Sequence, residues 1–281
     1  MPHHGGVSTP TVYDSATAQT TWATPYVNLW QWRGLLRLMA VRDLVGRYRR
    51  SVLGVLWTVL NPLLTTAVLF LVFSEFFRFQ IPGVPFIVYL LSGVLVVTFV
   101  QQGILGVGNS LVNHAPLLTR VYVPPEVVAA AHAASIGVNL AVTLVPLLLF
   151  QVLLGVGVPV TVLLLPVLIA LMFAFVLGLG LVLAVVAIRF RDALDLAAVT
   201  LILLAYATPT FYPVEIVPAA YQPLLALNPA YWYLDVFRHL AYGGDLGNLK
   251  AWLVCLGCAA VSLLVGTRVF TAMWPRSVTS L

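Results

Sequence analysis

The sequence predicts an all-α polytopic membrane protein with six transmembrane helices, and three observations lead there. Of 281 residues, 61% are hydrophobic and only 8% charged, against about 25% charged in a soluble domain, so the chain has too little charge to cover a water-facing surface. Long stretches carry no charge at all, and a span needs about 20 such residues. The basic residues gather on one side of the spans so defined. Length therefore counts membrane crossings better than soluble domains.

The elements follow in order. Residues 1–26, rich in Thr, Ser, Ala and Pro, lack the basic start and apolar core of a signal peptide and read as a flexible N-terminal tail; the membrane domain covers 27–281. Residues 27–50 are long enough for an amphipathic helix in the membrane interface, with Trp30 and Trp32 at headgroup depth. At about 100° per residue Arg33, Arg37 and Arg47 share a face while Arg42 and Arg49 lie opposite. That pattern suits lipid phosphate on one flank and a protein partner on the other, and a plain topology signal would use the same residues. Between Ser51 and Ser74 there is no charge, giving a first span near 56–77. A second falls at about 86–108. The 62 uncharged residues from Val127 to Ile188 make two more, separated by the turn "GVGVP" at Gly155–Pro159. A fifth runs over about 196–213 and a sixth over about 251–270, so both termini share one side.

Positive residues near span ends stay in the cytoplasm. With the N-terminus inside, the inner set is Arg33, Arg37, Arg42, Arg47, Arg49, Arg50, Arg120, Arg189, Arg191, Arg268 and Arg276, and only Arg78, Arg238 and Lys250 face out. Both termini are predicted to be cytoplasmic.

The chemistry is mostly negative. The five histidines are too dispersed for an HExxH helix, no GxSxG elbow occurs, and the nine acids lie outside the spans or at their ends. An ion-coupled secondary transporter keeps an ionisable group near the midplane, and His132 is the lone candidate. Cys255 and Cys258, three apart on an apolar helix with no histidine nearby, read as packing residues. A P-loop needs a lysine after a glycine-rich turn; the only lysine, Lys250 in "GGDLGNLKAW", has the wrong setting. No cofactor is expected in this chain, and any ATP would be hydrolysed by another subunit.

Three segments remain. Residues 206–242 hold nine aromatics and five prolines; the prolines forbid one long helix and favour short broken ones at the outer face. Aromatic faces there could line a sugar path, and an interfacial aromatic belt would have the same composition. On the inner side Pro124-Pro125 stop one element and start another, leaving a short helix ending near Arg120 that could dock a partner. Ala129, Ala133, Gly137 and Ala141 recur every four residues, a pattern that lets two helices approach closely, within one chain or between two copies.

"RDLVGRYRRSVLGVLWTVLNPLL" (Arg42–Leu64) resembles the N-terminal signature of ABC-2 type permeases that export polysaccharides, including O-antigen, teichoic acid, capsule and galactan. "TRVYVPPE" (Thr119–Glu126), "RFRD" (Arg189–Asp192), "FYP" (Phe211–Pro213) and "NPAYWYLDVFR" (Asn228–Arg238) resemble later motifs of the same family, in the same order. The resemblance implies a homodimeric permease in the bacterial plasma membrane, moving a polyprenyl-diphosphate-linked polysaccharide. An ABC nucleotide-binding subunit dimer would hold ATP and Mg and contact Arg42, Arg47, Leu117, Leu118, Arg120 and Glu126. Arg49 and Arg50 would meet the lipid diphosphate. Phe211, Tyr212, Tyr231, Trp232 and Tyr233 would border the glycan path in broken re-entrant outer helices. Nucleic acid is not an expected partner; membrane lipid is. The same fold exporting a small hydrophobic drug or lipid is the nearest alternative.

Overall fold

A computed structural model describes residues 24–48, 51–78, 81, 83–118 and 123–277. Among them all regular structure is helical. Helix α1 (Thr24–Gln31) continues into α2 (Arg33–Tyr48) through a bend at Trp32, where Trp32 N donates to Asn28 O and Leu36 N to Trp32 O. Helix formation thus begins at Thr24, three residues before the expected boundary. Residues 1–23, the body of the expected tail, lie outside the described residues.

Among the described residues five helices are long and apolar enough to cross a membrane. They are Leu56–Phe76, made of α3 (Leu56–Leu71) and a π-helical turn; α4 (Phe86–Asn113); α6 (Pro125–Leu153); Val160–Arg189, made of a 3₁₀ turn and α7 (Leu165–Arg189); and α11 (Leu249–Ser277), apolar through Pro275. A single turn, α5 (Ala115–Leu118), follows α4. Pro124 caps α6 and Pro125 opens it, as a residue without an N–H should. The α6–α7 turn uses Gly155 and Gly157 at φ 74° and 76°, a backbone region closed to most side chains.

The expected fifth span is shorter than the sequence suggested. Helix α8 covers Asp192–Ala207, 16 residues or about 24 Å, and the chain leaves it at Thr208 because Pro209 restricts the residue before it to extended backbone. Helix α8 runs beside α4 in the opposite sense. Gln101 Nε2 donates to Leu201 O at 2.9 Å, and the Tyr89 hydroxyl donates to Pro209 O at 3.1 Å and Tyr212 O at 2.9 Å. The proline-rich stretch then breaks into a 3₁₀ turn (Val214–Ile216), α9 (Gln222–Leu225) and α10 (Pro229–Arg238).

Helix α4 is the centre of the bundle, packed against α3, α6, α7, α8 and α10, while α7 sits between α4 and α11. The α7–α11 contact is the closest: a Cβ on Gly178 would overlap the backbone of Ser262, and one on Gly266 the carbonyl of Gly178. Ser262 and Gly266, four apart, supply the small-residue seam. Half of the α6 stripe does similar work inside the chain. Ala129 and Ala133 are buried with Met39 and Ala40 of α2, whereas Gly137 faces open space and Ala141 is exposed. Helix α3 is the least enclosed span and leaves Trp57, Leu64 and Val68 exposed.

Candidate functional site

The spans that read as apolar carry a polar seam. Thr58, Asn61 and Thr65 lie on α3, Thr98, Gln101 and Gln102 on α4, and Asn139 and Thr143 on α6. All line one cleft of about 530 Å³, within the roughly 300–1,000 Å³ of ligand sites. Trp57 and Pro62 add apolar wall, and Arg47 and Ser51 stand where the cleft meets the arginine-rich end. On α4 the cleft runs from Gln102 past the middle of the helix to Val94. It is a polar half-channel from one end of the bundle toward its centre.

Helical spacing explains the seam. Thr58, Asn61 and Thr65 recur at three and four residues, as do Thr98 with Gln101 and Gln102, and Asn139 with Thr143, so each set shares a face. Each amide offers a carbonyl acceptor and an NH₂ donor. Gln101 gives its NH₂ to Leu201 O, which fixes its side chain in the wall. Among the described residues Arg47 is the only charged one of the lining.

At the arginine-rich end, Asp43 ties α2 to the bundle. Its carboxylate lies 3.2 Å from His132 Nδ1 on α6 and 3.9 Å from His114 Nε2 beyond α4. Burial works to raise the Asp43 carboxyl, but the His132 hydrogen bond and charge, with His114 and Arg42, outweigh it and hold the group below the ordinary carboxylate range. His132, the one histidine inside a predicted span, thus holds α2 in place. Two more bonds attach α1: Asn28 Nδ2 donates to Glu126, and the Tyr26 hydroxyl pairs with Thr267 at 3.3 Å.

At the opposite end, two residues organise the broken segment. Asn228 accepts from Ala230 N at 3.0 Å, capping α10, and its amide donates to Leu204 O at 2.9 Å and Thr208 Oγ1 at 2.8 Å, closing the end of α8. The "NP" pair is thereby an N-cap followed by a first-turn proline. Arg238 donates to the carbonyls of Pro209 (2.9 Å), Tyr89 (3.3 Å) and Thr210 (3.4 Å), and its guanidinium lies 3.5 Å from the Tyr89 ring centroid. Carbonyls and a π face hold this charge.

The residues expected at the site fare differently. Phe211 stacks on Phe73 at 6.1 Å, and the Tyr212 hydroxyl donates to Tyr206 O at 3.3 Å. Tyr231 and Trp232 form a separate edge-to-face pair at 5.2 Å, with Lys250 over the indole. Tyr233 corrects the expectation. It is 0% exposed, donates to Cys255 O at 2.8 Å and packs on Phe175, because α10 turns that face into the core. Glu126 corrects it too. At 7% exposure and bonded to Asn28, it joins α1 to α6 and is largely covered by the chain itself. Arg42 and Arg47 are exposed, and Leu118 is half-buried. Arg49, Arg50 and Arg120, and the side chain of Leu117, lie outside the described residues.

The ABC-2 type transporter family model matches residues 34–242, most of the chain. The protein belongs to the ABC-2 type transporter family. It is similar over 244 residues, at 30% identity, to the O-antigen export system permease protein RfbA of Myxococcus xanthus, covering 86% of this chain and 93% of that one. Two proteins of the same name from Klebsiella pneumoniae match at 23% and 22% identity, over 85% of this chain and 92% of each. The ABC-2 match takes in α2, the cleft and the broken segment through Tyr242, so the polar seam lies in the transport subunit's own family domain. Sequence reasoning judged the spans too poor in polar groups for one copy to enclose a wide channel, and so missed the seam. Asn61, Gln101, Gln102 and Asn139 were the available signal, since amides in hydrocarbon need partners.

Proposed function

We propose that this chain is the membrane-spanning permease of an ATP-driven exporter that moves a polyprenyl-diphosphate-linked polysaccharide, of the O-antigen or galactan type, from the cytoplasm across the plasma membrane. One observation carries the reading: a half-channel lined by amides and hydroxyls runs through apolar spans and starts at an arginine. A sugar chain is a row of hydroxyls on C–H faces, and amides exchange hydrogen bonds with hydroxyls in either sense. An exporter of a small hydrophobic molecule would gain nothing from eight polar side chains in the wall. The names of the three relatives point the same way.

The arginine-rich end is the cytoplasmic one. Helix α8, lengthened by 208–212 and level with α4 from Gln101 to Tyr89, makes the sixth crossing and returns the C-terminus to the cytoplasm. Helix α10, whose Tyr233 reaches Phe175 well inside α7, re-enters the bundle from outside. A nucleotide-binding dimer binds ATP and Mg and acts on α2, through Arg42, and on the α4–α6 connection. A second copy of this chain pairs along the lightly enclosed α3 to complete the path. Phe211, Tyr212, Tyr231 and Trp232 flank its exit.

Depletion of the protein in its native cell tests the reading. Lipid-linked glycan should accumulate inside and fall on the outer surface; an undiminished outer glycan would overturn it.

A further inference from the structure

The cleft's charge is as informative as its polarity. Among the described residues lining it, Arg47 at the mouth is the only ionised one, and everything deeper is amide, hydroxyl, aromatic or aliphatic. The five spans as a whole carry five charged residues: Glu75, Glu126, Arg189, Lys250 and Arg268. The first four stand within two residues of a span end, and Arg268 is exposed about two turns from the arginine-rich end. Helix α8 has charge only in its first turn, at Asp192 and Asp195. The re-entrant α10 adds Asp235 and Arg238, the latter level with Tyr89 near the outer end of α4. A path assembled from these helices, by one copy or by two, therefore contains no fixed countercharge at mid-membrane among the described residues.

We propose that this permease selects glycans with an uncharged backbone, admitting a single anionic group, the diphosphate of the carrier, at Arg47. The inference rests on the glycan reading above and narrows it. A neutral sugar exchanges water for the hydrogen bonds of Asn61, Gln102 and Asn139 as it enters. A uronate or phosphodiester unit must give up hydration in the same place with no cation to meet it, and an ion so placed is costly unless paired. Each repeat of an acidic polymer would meet that barrier afresh. Arg47 matches the opposite need. A guanidinium binds phosphate oxygens in a fixed fork, and this one is exposed on the cleft that Trp57 also lines, whose ring suits the first sugar.

The test uses the permease with its ATPase in proteoliposomes, supplied with two synthetic substrates on one polyprenyl diphosphate. One carries a neutral oligohexose; the other has equal length with a uronate at every second unit. Glycan reaching the far side is read with a membrane-impermeant oxidant. The neutral substrate should move at least about tenfold faster, the factor given by about 1.4 kcal/mol in a barrier. Gln102→Lys should bring the ratio of acidic to neutral rates closer to one, by supplying the missing cation. Arg47→Gln should raise the half-saturating concentration of the neutral substrate severalfold and Arg47→Lys should restore much of it; a half-saturating concentration unchanged in Arg47→Gln would overturn the role of Arg47 here. Equal rates for both substrates in the wild type would overturn the selectivity alone. Movement of neither would overturn the glycan reading itself, and this inference with it.

Discussion

Replacing Asn228 by alanine removes three hydrogen bonds that join two helices. The cap to Ala230 N is worth about 1 kcal/mol, and the bonds to Leu204 O and Thr208 Oγ1 about 0.5–1.5 kcal/mol each. The side chain is only 5% exposed, so water does not replace what is lost, and the expected destabilisation is roughly 2–4 kcal/mol. For a chain of this size that lowers the unfolding midpoint by roughly 4–16 °C, measurable by thermal unfolding of the purified protein in detergent. Two further variants separate the contributions. Asn228→Ser keeps a capping oxygen and should lose about half as much. Asn228→Asp keeps the cap but turns an acceptor toward Leu204 O, and should be at least as harmful as alanine. An alanine variant melting with the wild type would refute the assignment of Asn228 as the joint between α8 and α10.

Other perturbations follow from the same contacts. Gly178→Val should separate α7 from α11 and abolish accumulation of folded protein, whereas Gly137→Ala, with open space beside it, should leave the melting temperature within a degree or two; gel filtration and thermal unfolding decide. Asp43→Asn should loosen α2, seen as faster amide exchange across Arg33–Tyr48. Because the folded carboxyl is held below its ordinary value of 3.8, the stability it adds is complete above that value and disappears only as pH falls through the lowered one. The wild-type advantage linked to this carboxyl should thus persist down to pH 5, and an advantage already lost there would contradict the assignment. Tyr233→Phe should cost about 1 kcal/mol through the lost bond to Cys255 O and leave the preference among glycans unchanged in a transport assay.

The spans were legible because hydrocarbon demands long uncharged runs, and four of the six expected runs begin and end within a few residues of the observed helices. Proline read locally was also reliable: Pro125 and Pro229 open helices, and Pro209 follows the end of one. What failed was direction. Tyr233 looked like its neighbours Tyr231 and Trp232, yet α10 carries one face inward, and a composition argument over 206–242 cannot choose the face. Glu126 looked like a surface acid after a proline pair; its partner Asn28 is 98 residues away. The seam was hidden for the same reason, since Asn61, Gln102 and Asn139 become one wall only when α3, α4 and α6 meet. The expected fifth span read as one 18-residue helix because sequence hydropathy ignores that Pro209 ends α8 early.

The most direct measurement concerns that wall. With Asn61, Gln102 and Asn139 all changed to leucine, apolar substitutions that lipid and the bundle accept, the permease should still insert, fold and support substrate-free ATP hydrolysis by its partner. Translocation of lipid-linked glycan in proteoliposomes should fall by about tenfold or more. Unaltered translocation through a wall stripped of these three amides would show that the sugar travels elsewhere.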